Sequence, residues 1–127
     1  MPIDCRLLLS VLLLRRCLAI GDLHVAPGRP YPISRSLLEA MGAGCVVLAS
    51  DTPPHREVIR HGETGLLAGT DDPLDLVRQA MAVLDDPAGH RPLGTAAAEL
   101  MRGQYDREVC LPRLAEQFSG VAATRRR

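Results

Sequence analysis

The residues with the most chemical potential sit at one loop–helix junction, Pro30 to Glu39, directly after the short strand expected at Asp22–Ala26. In open parallel sheets, ligands lie beyond the carboxyl ends of the strands, where helix N-termini point. The first N–H groups of such a helix have no internal acceptor, and the macrodipole adds about half a positive charge there. A diphosphate suits that environment. Glu39, one turn in, is placed to accept both hydroxyls of a ribose attached to it. The same string also has a purely structural reading. Ser36-Leu37-Leu38-Glu39 fits a capping box, in which Glu39 would bond back to the Ser36 backbone, and spacing alone favours that reading.

Other candidate groups have simpler explanations. Asp71-Asp72-Pro73-Leu74-Asp75 matches the D-D-x-x-D string of magnesium-dependent prenyl chemistry, but Pro73 and the apolar stripe after it mark a charged helix N-terminus. His55 and Arg56 precede a short helix and have the reach for a phosphate, although a solvated turn is the commoner setting for such residues. His24 on a short strand reads as an interior or rim histidine. Cys5, Cys17, Cys45 and Cys110 form no C-x-x-C pair and, with the four histidines, match no zinc spacing. They read as free buried thiols in a reducing, cytoplasmic setting.

Composition narrows the classes further. The chain has 127 residues, enough for one domain, with 46% hydrophobic residues and 15 basic against 15 acidic side chains. That balance gives no global field to recruit nucleic acid. An aromatic fraction of 2% offers no stacking platform for single strands. Every basic residue is Arg and there is no Lys, a bias of genomic base composition that gives a bacterial-like profile and removes any lysine mechanism. The apolar run Leu7–Leu14 is far short of the ~20 residues that span a bilayer. Arg15-Arg16-Cys17 after it makes a poor leader cleavage site.

The elements that must position the junction follow from periodicity. Leu7–Ile20 is apolar on most sides, as in a helix buried deeply or meant for a partner. Ser36–Met41 is helical and stops at Gly42-Ala43-Gly44. Cys45–Ser50 is a continuous apolar run suited to a strand covered on both faces. Pro54 fits the first position of a short helix to Ile59, and Leu66–Ala68 a third strand after the turn at His61–Gly65. Asp72 caps the next helix, where Leu74, Val77, Met81 and Leu84 form a stripe expected to face the core, and Asp85-Asp86-Pro87 stops it. Two further helices are expected at about 91–104 and 108–122, the second with Leu111, Leu114, Phe118 and Val121 on one side. The alternation indicates an α/β fold of about three short parallel strands with flanking helices, a partial Rossmann-like sheet.

The run Ser36-Leu37-Leu38-Glu39-Ala40-Met41-Gly42-Ala43-Gly44-Cys45-Val46-Val47-Leu48-Ala49-Ser50-Asp51, then Glu57-Val58-Ile59 and Gly62-Glu63-Thr64-Gly65-Leu66-Leu67, resembles the group 1 (family 4) glycosyltransferases. The likeness continues through Asp72-Pro73, Leu84-Asp85-Asp86-Pro87 and Leu93-Gly94, covering about Asp22 to Tyr105. It implies the GT-B architecture of two facing Rossmann-like domains. It also implies retaining sugar transfer from a nucleotide-diphosphate donor, with no cofactor or bound metal. The family motif is a pair of glutamates, the second matching Glu39, which the resemblance assigns to the nucleotide ribose. The backbone of Arg35, Ser36 and Leu37 would face the diphosphate, and Tyr31 to Ser34 the donor sugar. The first glutamate of the pair would fall at position 31, where this sequence has Tyr31. Some branches carry an aromatic residue there followed by Ser-x-Ser-Leu-Leu-Glu, and Tyr31-Pro32-Ile33-Ser34-Arg35-Ser36 resembles them.

On that resemblance, residues 1–20 read as an N-terminal apolar helix that need not be a native start, and residues 21–127 as the C-terminal half of a donor domain. The acceptor domain and the Arg/Lys pair that neutralises the leaving diphosphate would be missing. The expected partners are a nucleotide sugar and either an N-terminal domain or a second copy pairing through an open sheet edge, with neither nucleic acid nor a transmembrane segment. Three functions fit: a truncated retaining glycosyltransferase inactive alone, a nucleotide-binding remnant or subunit of a split enzyme, and a structural module in which Glu39 is only a cap.

Overall fold

The computed structural model describes residues 5–28 and 33–124. The element order is α1 (Cys5–Ile20), β1 (His24–Ala26), α2 (Arg35–Gly42), β2 (Val47–Ser50), α3 (Pro53–Val58), β3 (Leu66–Ala68), α4 (Pro73–Asp85) and α5 (Pro87–Leu100). A π-helical turn, Met101–Tyr105, and α6 (Arg107–Thr124) complete it. The three strands lie parallel in the order β1-β2-β3. Val25 stands opposite Leu48, and Ala49 opposite Leu67. This is the partial Rossmann-like α/β sheet that the alternation predicts.

The apolar run around β2 is explained by its central place. Val47, Leu48 and Ala49 are fully buried. Val47 and Ala49 join a cluster with Leu37, Ala40 and Met41 of α2 and with Ala97 and Met101. Leu48, pointing to the other face by strand alternation, lies on the side where α4 meets β2 and β3. Gly44, at φ +82°, reverses the chain after α2, and α5 crosses close by. A Cβ at Gly94 would collide with the Gly44 carbonyl.

Several boundaries and faces differ from the sequence expectation. Pro53, not Pro54, opens α3. Asp86 both ends α4 and caps α5, its carboxylate accepting from Gly89 N–H at 3.0 Å, so α5 starts at Pro87 rather than at 91. The expected helix to Gln104 changes to π geometry after Leu100. The largest correction concerns α4. Leu74, Val77, Met81 and Leu84 are all at least half exposed, and the fully buried residue of that helix is Val83. Leu76 and Ala80, partly buried, share its face. The stripe Leu111, Leu114, Phe118 and Val121 of α6 is exposed as well.

Helix α1 packs against α2 through Leu18, while Leu12, Leu13, Leu14 and Ile20 are exposed, so the helix is not deeply buried. Among the described residues no strand pairs with the outer edge of β1. Cys45 is buried, as expected, but Cys17 and Cys110 are exposed free thiols. The reason is the same throughout: of the side chains described, α1 and α6 turn only Leu18 and Val109 away from full exposure. No described helix is long and apolar enough to cross a membrane.

Candidate functional site

The site is built on the first turn of α2, beyond the carboxyl end of β1. Ser34, in extended backbone at φ −70° and ψ 137°, is its N-cap. Its hydroxyl accepts from Leu37 N–H at 3.2 Å, and the Ser36 hydroxyl lies 3.1 Å away. This corrects the capping-box reading. The cap is two residues earlier than Ser36, so Glu39 is the fifth helical residue, too far along to bond back to the cap. Glu39 Oε1 instead accepts from Arg35 Nε at 2.9 Å, one turn away. An exposed pair of this kind stabilises a helix by about 0.3–0.5 kcal/mol, too little to hold the carboxylate against a better donor.

Leu37 is fully buried and pins the turn to the core. Only its backbone can face a ligand. The N–H groups of Arg35 and Ser36 have no acceptor among the described residues, in keeping with their place in the first turn. Ser34, Arg35, Ser36, Leu37 and Glu39 therefore do share one helix end. Tyr31 lies outside the described residues.

Two clefts matter here, one bordered by α2 and one over the strand ends. One, of about 300 Å³, runs between α1, α2 and the π turn and is lined by Glu39, Arg35, Arg15, Arg102 and Tyr105. The other, of about 600 Å³, opens over the strand ends between Pro27, Gly28, Ser50, Asp51, Thr70 and Asp71. Its floor is tied together by Gly28 N–H, which donates to Ser50 Oγ at 3.2 Å. Glu39 thus faces the first cleft, and the loop after β1 borders the second.

The remaining candidates resolve into structural roles with one exception. Asp72 accepts from Leu74 N–H at 3.0 Å and pairs with Arg78 at 2.8 Å. Asp75 accepts from Gly69 N–H at 2.9 Å, the main cause holding its carboxyl below the usual range. The acidic string is a helix start, as expected, and no described His, Cys, Asp or Glu group is arranged to hold a metal ion. Arg56 is committed to Asp51 through both Nε and Nη2, at 2.5 and 2.9 Å. That hydrogen bond is the first cause of the lowered pKa of Asp51. His24 sits at the amino end of β1, and partial burial pushes its pKa down.

His55 is the exception, and it corrects the expectation of a solvated turn. It is only 5% exposed. Its Nδ1 lies 2.7 Å from the Ser50 carbonyl and 3.0 Å from Thr52 Oγ1. The sequence gives a weak clue to this: a histidine two residues after the first proline of a short helix falls back toward the preceding strand.

Comparison with known proteins agrees with the fold. A family model described as "Glycosyl transferases group 1" matches residues 5–86, a span that begins with α1. The chain is 33% identical over 91 residues to N-acetyl-alpha-D-glucosaminyl L-malate synthase of Bacillus anthracis, covering 72% of this chain and 24% of that protein. It is 34% identical over 107 residues to phosphatidyl-myo-inositol mannosyltransferase of Mycobacterium leprae (strain TN), covering 82% and 28%. Among solved structures it superposes on sucrose-phosphate synthase (tll1590) from Thermosynechococcus elongatus with a TM-score of 0.79 and 25% identity, over 85% of this chain and 27% of the other. It also superposes on Anabaena Alr3699/HepE, solved in complex with UDP, with a TM-score of 0.76 and 23% identity, over 83% and 29%; that likeness is one of fold. The chain spans about a quarter of the length of these proteins.

Proposed function

The chain belongs to the group 1 glycosyl transferases and carries part of their Rossmann-like GT-B fold, and from that premise we propose that its α2 turn holds the nucleotide diphosphate of a sugar donor. One observation carries the reading: Ser34 supplies the cap, so Glu39 has no capping duty and stands one turn inside a helix end whose first N–H groups have no acceptor among the described residues. A carboxylate in that place can accept both ribose hydroxyls, while the N–H groups of Arg35 and Ser36 and the helix dipole meet the diphosphate. The stretch from Tyr31 to Ser34 would then border the sugar. Transfer would proceed with retention, the leaving diphosphate departing from the face the acceptor attacks, and without a bound metal.

The relatives named above include an N-acetylglucosaminyl and a mannosyl enzyme, so kinship alone does not select the sugar. Because the chain spans about a quarter of those relatives, the acceptor site and the cations that neutralise the leaving diphosphate would come from additional polypeptide. A second reading, in which this chain binds nucleotide without turnover as a remnant or as one subunit of a split enzyme, is favoured by the same coverage. The exposed thiols of Cys17 and Cys110 suit a reducing cytoplasm.

Calorimetric titration of UDP, GDP and ADP into the wild-type chain and Glu39→Gln tests the site. One nucleotide should bind, and Glu39→Gln should weaken it about ten- to a hundredfold, as expected when a charge-assisted hydrogen bond pair is lost. Folded protein that binds none of the three overturns the nucleotide site.

A further inference from the structure

The geometry points to His55 as a second donor-recognition residue, one that offers an unprotonated Nε2 to a hydroxyl of the sugar carried on the nucleotide; this rests on the nucleotide reading of the α2 turn. A carbonyl oxygen can only accept a hydrogen bond. With Nδ1 at 2.7 Å from the Ser50 carbonyl, Nδ1 must carry the proton. The Thr52 hydroxyl, 3.0 Å from the same nitrogen, fixes the ring from a second side. In the neutral ring, Nε2 is therefore left as an acceptor.

Its surroundings say where that acceptor is presented. The ring is only 5% exposed, yet Nε2 makes no hydrogen bond among the described residues. No described side-chain nitrogen or oxygen is both buried and unpartnered, so Nε2 lies where the ring reaches solvent. The Cε1 atom beside it lies 3.7 Å from the point where a Gly28 side chain would begin. Gly28 in turn borders the 600 Å³ cleft over the strand ends and is tied to Ser50. A ring with one nitrogen clamped and the other unpartnered, beside Gly28, Thr52 and Ser50 of the cleft lining, matches a hydroxyl donor better than a phosphate, which has no proton to give. A glycine at position 28 leaves room for that hydroxyl to approach.

The experiment uses the full chain labelled with 15N. Long-range proton–nitrogen spectra report the tautomer of His55 and the state of Nε2. UDP and GDP are compared with UDP-glucose, UDP-N-acetylglucosamine and GDP-mannose. The nucleoside diphosphates should shift the amides of Arg35 to Leu37 and leave Nε2 unmoved, while a matching nucleotide sugar should also shift Nε2. His55→Asn keeps a donor for the Ser50 carbonyl and loses the distal acceptor. It should weaken the nucleotide sugar about three- to tenfold while leaving the nucleoside diphosphate unchanged. His55→Gln, which restores a distal polar atom, should recover part of the loss. Amide shifts at α2 with no Nε2 response to any of the sugars overturn the role of His55 alone, as does a proton found on Nε2 instead of Nδ1. Absence of any α2 amide shift overturns the nucleotide site and this role with it.

Discussion

Gly94 of α5 lies directly against the backbone carbonyl of Gly44, the residue that reverses the chain after α2 at φ +82°. The contact fixes how closely α5 approaches the end of the site-bearing helix. Gly94→Ala places a methyl group on that carbonyl, and backbone cannot yield as a flexible side chain would. It should destabilise the fold by about 1–3 kcal/mol. Gly42→Ala, five residues before the start of β2, meets nothing within 4 Å and should be neutral or stabilising by up to about 1 kcal/mol, since alanine restricts the unfolded chain. Urea denaturation of the two variants beside wild type checks the opposite signs.

The two apolar faces of α4 give a second test. Val83 is fully buried, whereas Val77 is more than half exposed. Val83→Ala removes two packed methyl groups and should cost about 2 kcal/mol. The same change at Val77 should stay within about 0.5 kcal/mol. Equal losses at the two positions, measured by thermal or urea unfolding, would mean that Leu74, Val77, Met81 and Leu84 face the core after all.

Acid should weaken the fold in two stages. Burial depresses the pKa of His24 below its ordinary 6.5, so the unfolded chain binds a proton first as pH falls. The stability present above pH 6.5 is then lost as pH drops toward the folded value. The hydrogen bond from Arg56 depresses Asp51 below 3.8, and its contribution is lost only as pH falls below that point. His24→Gln should flatten the first stage, and Asp51→Asn should shrink the second, leaving the share of Asp75, which the Gly69 N–H also holds low. Stability measured by urea unfolding from pH 7.5 to 3 resolves them, and a curve that rises with acidification contradicts the assignment.

Local signals were legible in proportion to how little they depend on neighbours. Asp72 before Pro73 is a helix start in the sequence and in the structure, because its carboxylate needs only the next turn's N–H groups. Leu66–Ala68 and the run ending at Ser50 become strands as their apolar character requires. The helix that carries Glu39 is legible in Ser36–Met41 and its place after a strand. The capping-box spacing misled because Ser34 and Ser36 both suit a cap, and the extended backbone at Ser34, with its hydroxyl on Leu37 N–H, makes Ser34 the cap.

What the residues determined by themselves is the α/β alternation, the buried central strand, and a carboxylate one turn inside a helix that follows a strand. Only the tertiary structure decided which side of α4 meets the sheet. Its two apolar faces are offset by about a third of a turn, and periodicity ranks neither until β2 and β3 supply the surface. Only the fold, likewise, buried His55. Its burial and its clamped nitrogen depend on the Ser50 carbonyl and on Gly28, which lies 27 residues away in the chain at the end of a different strand.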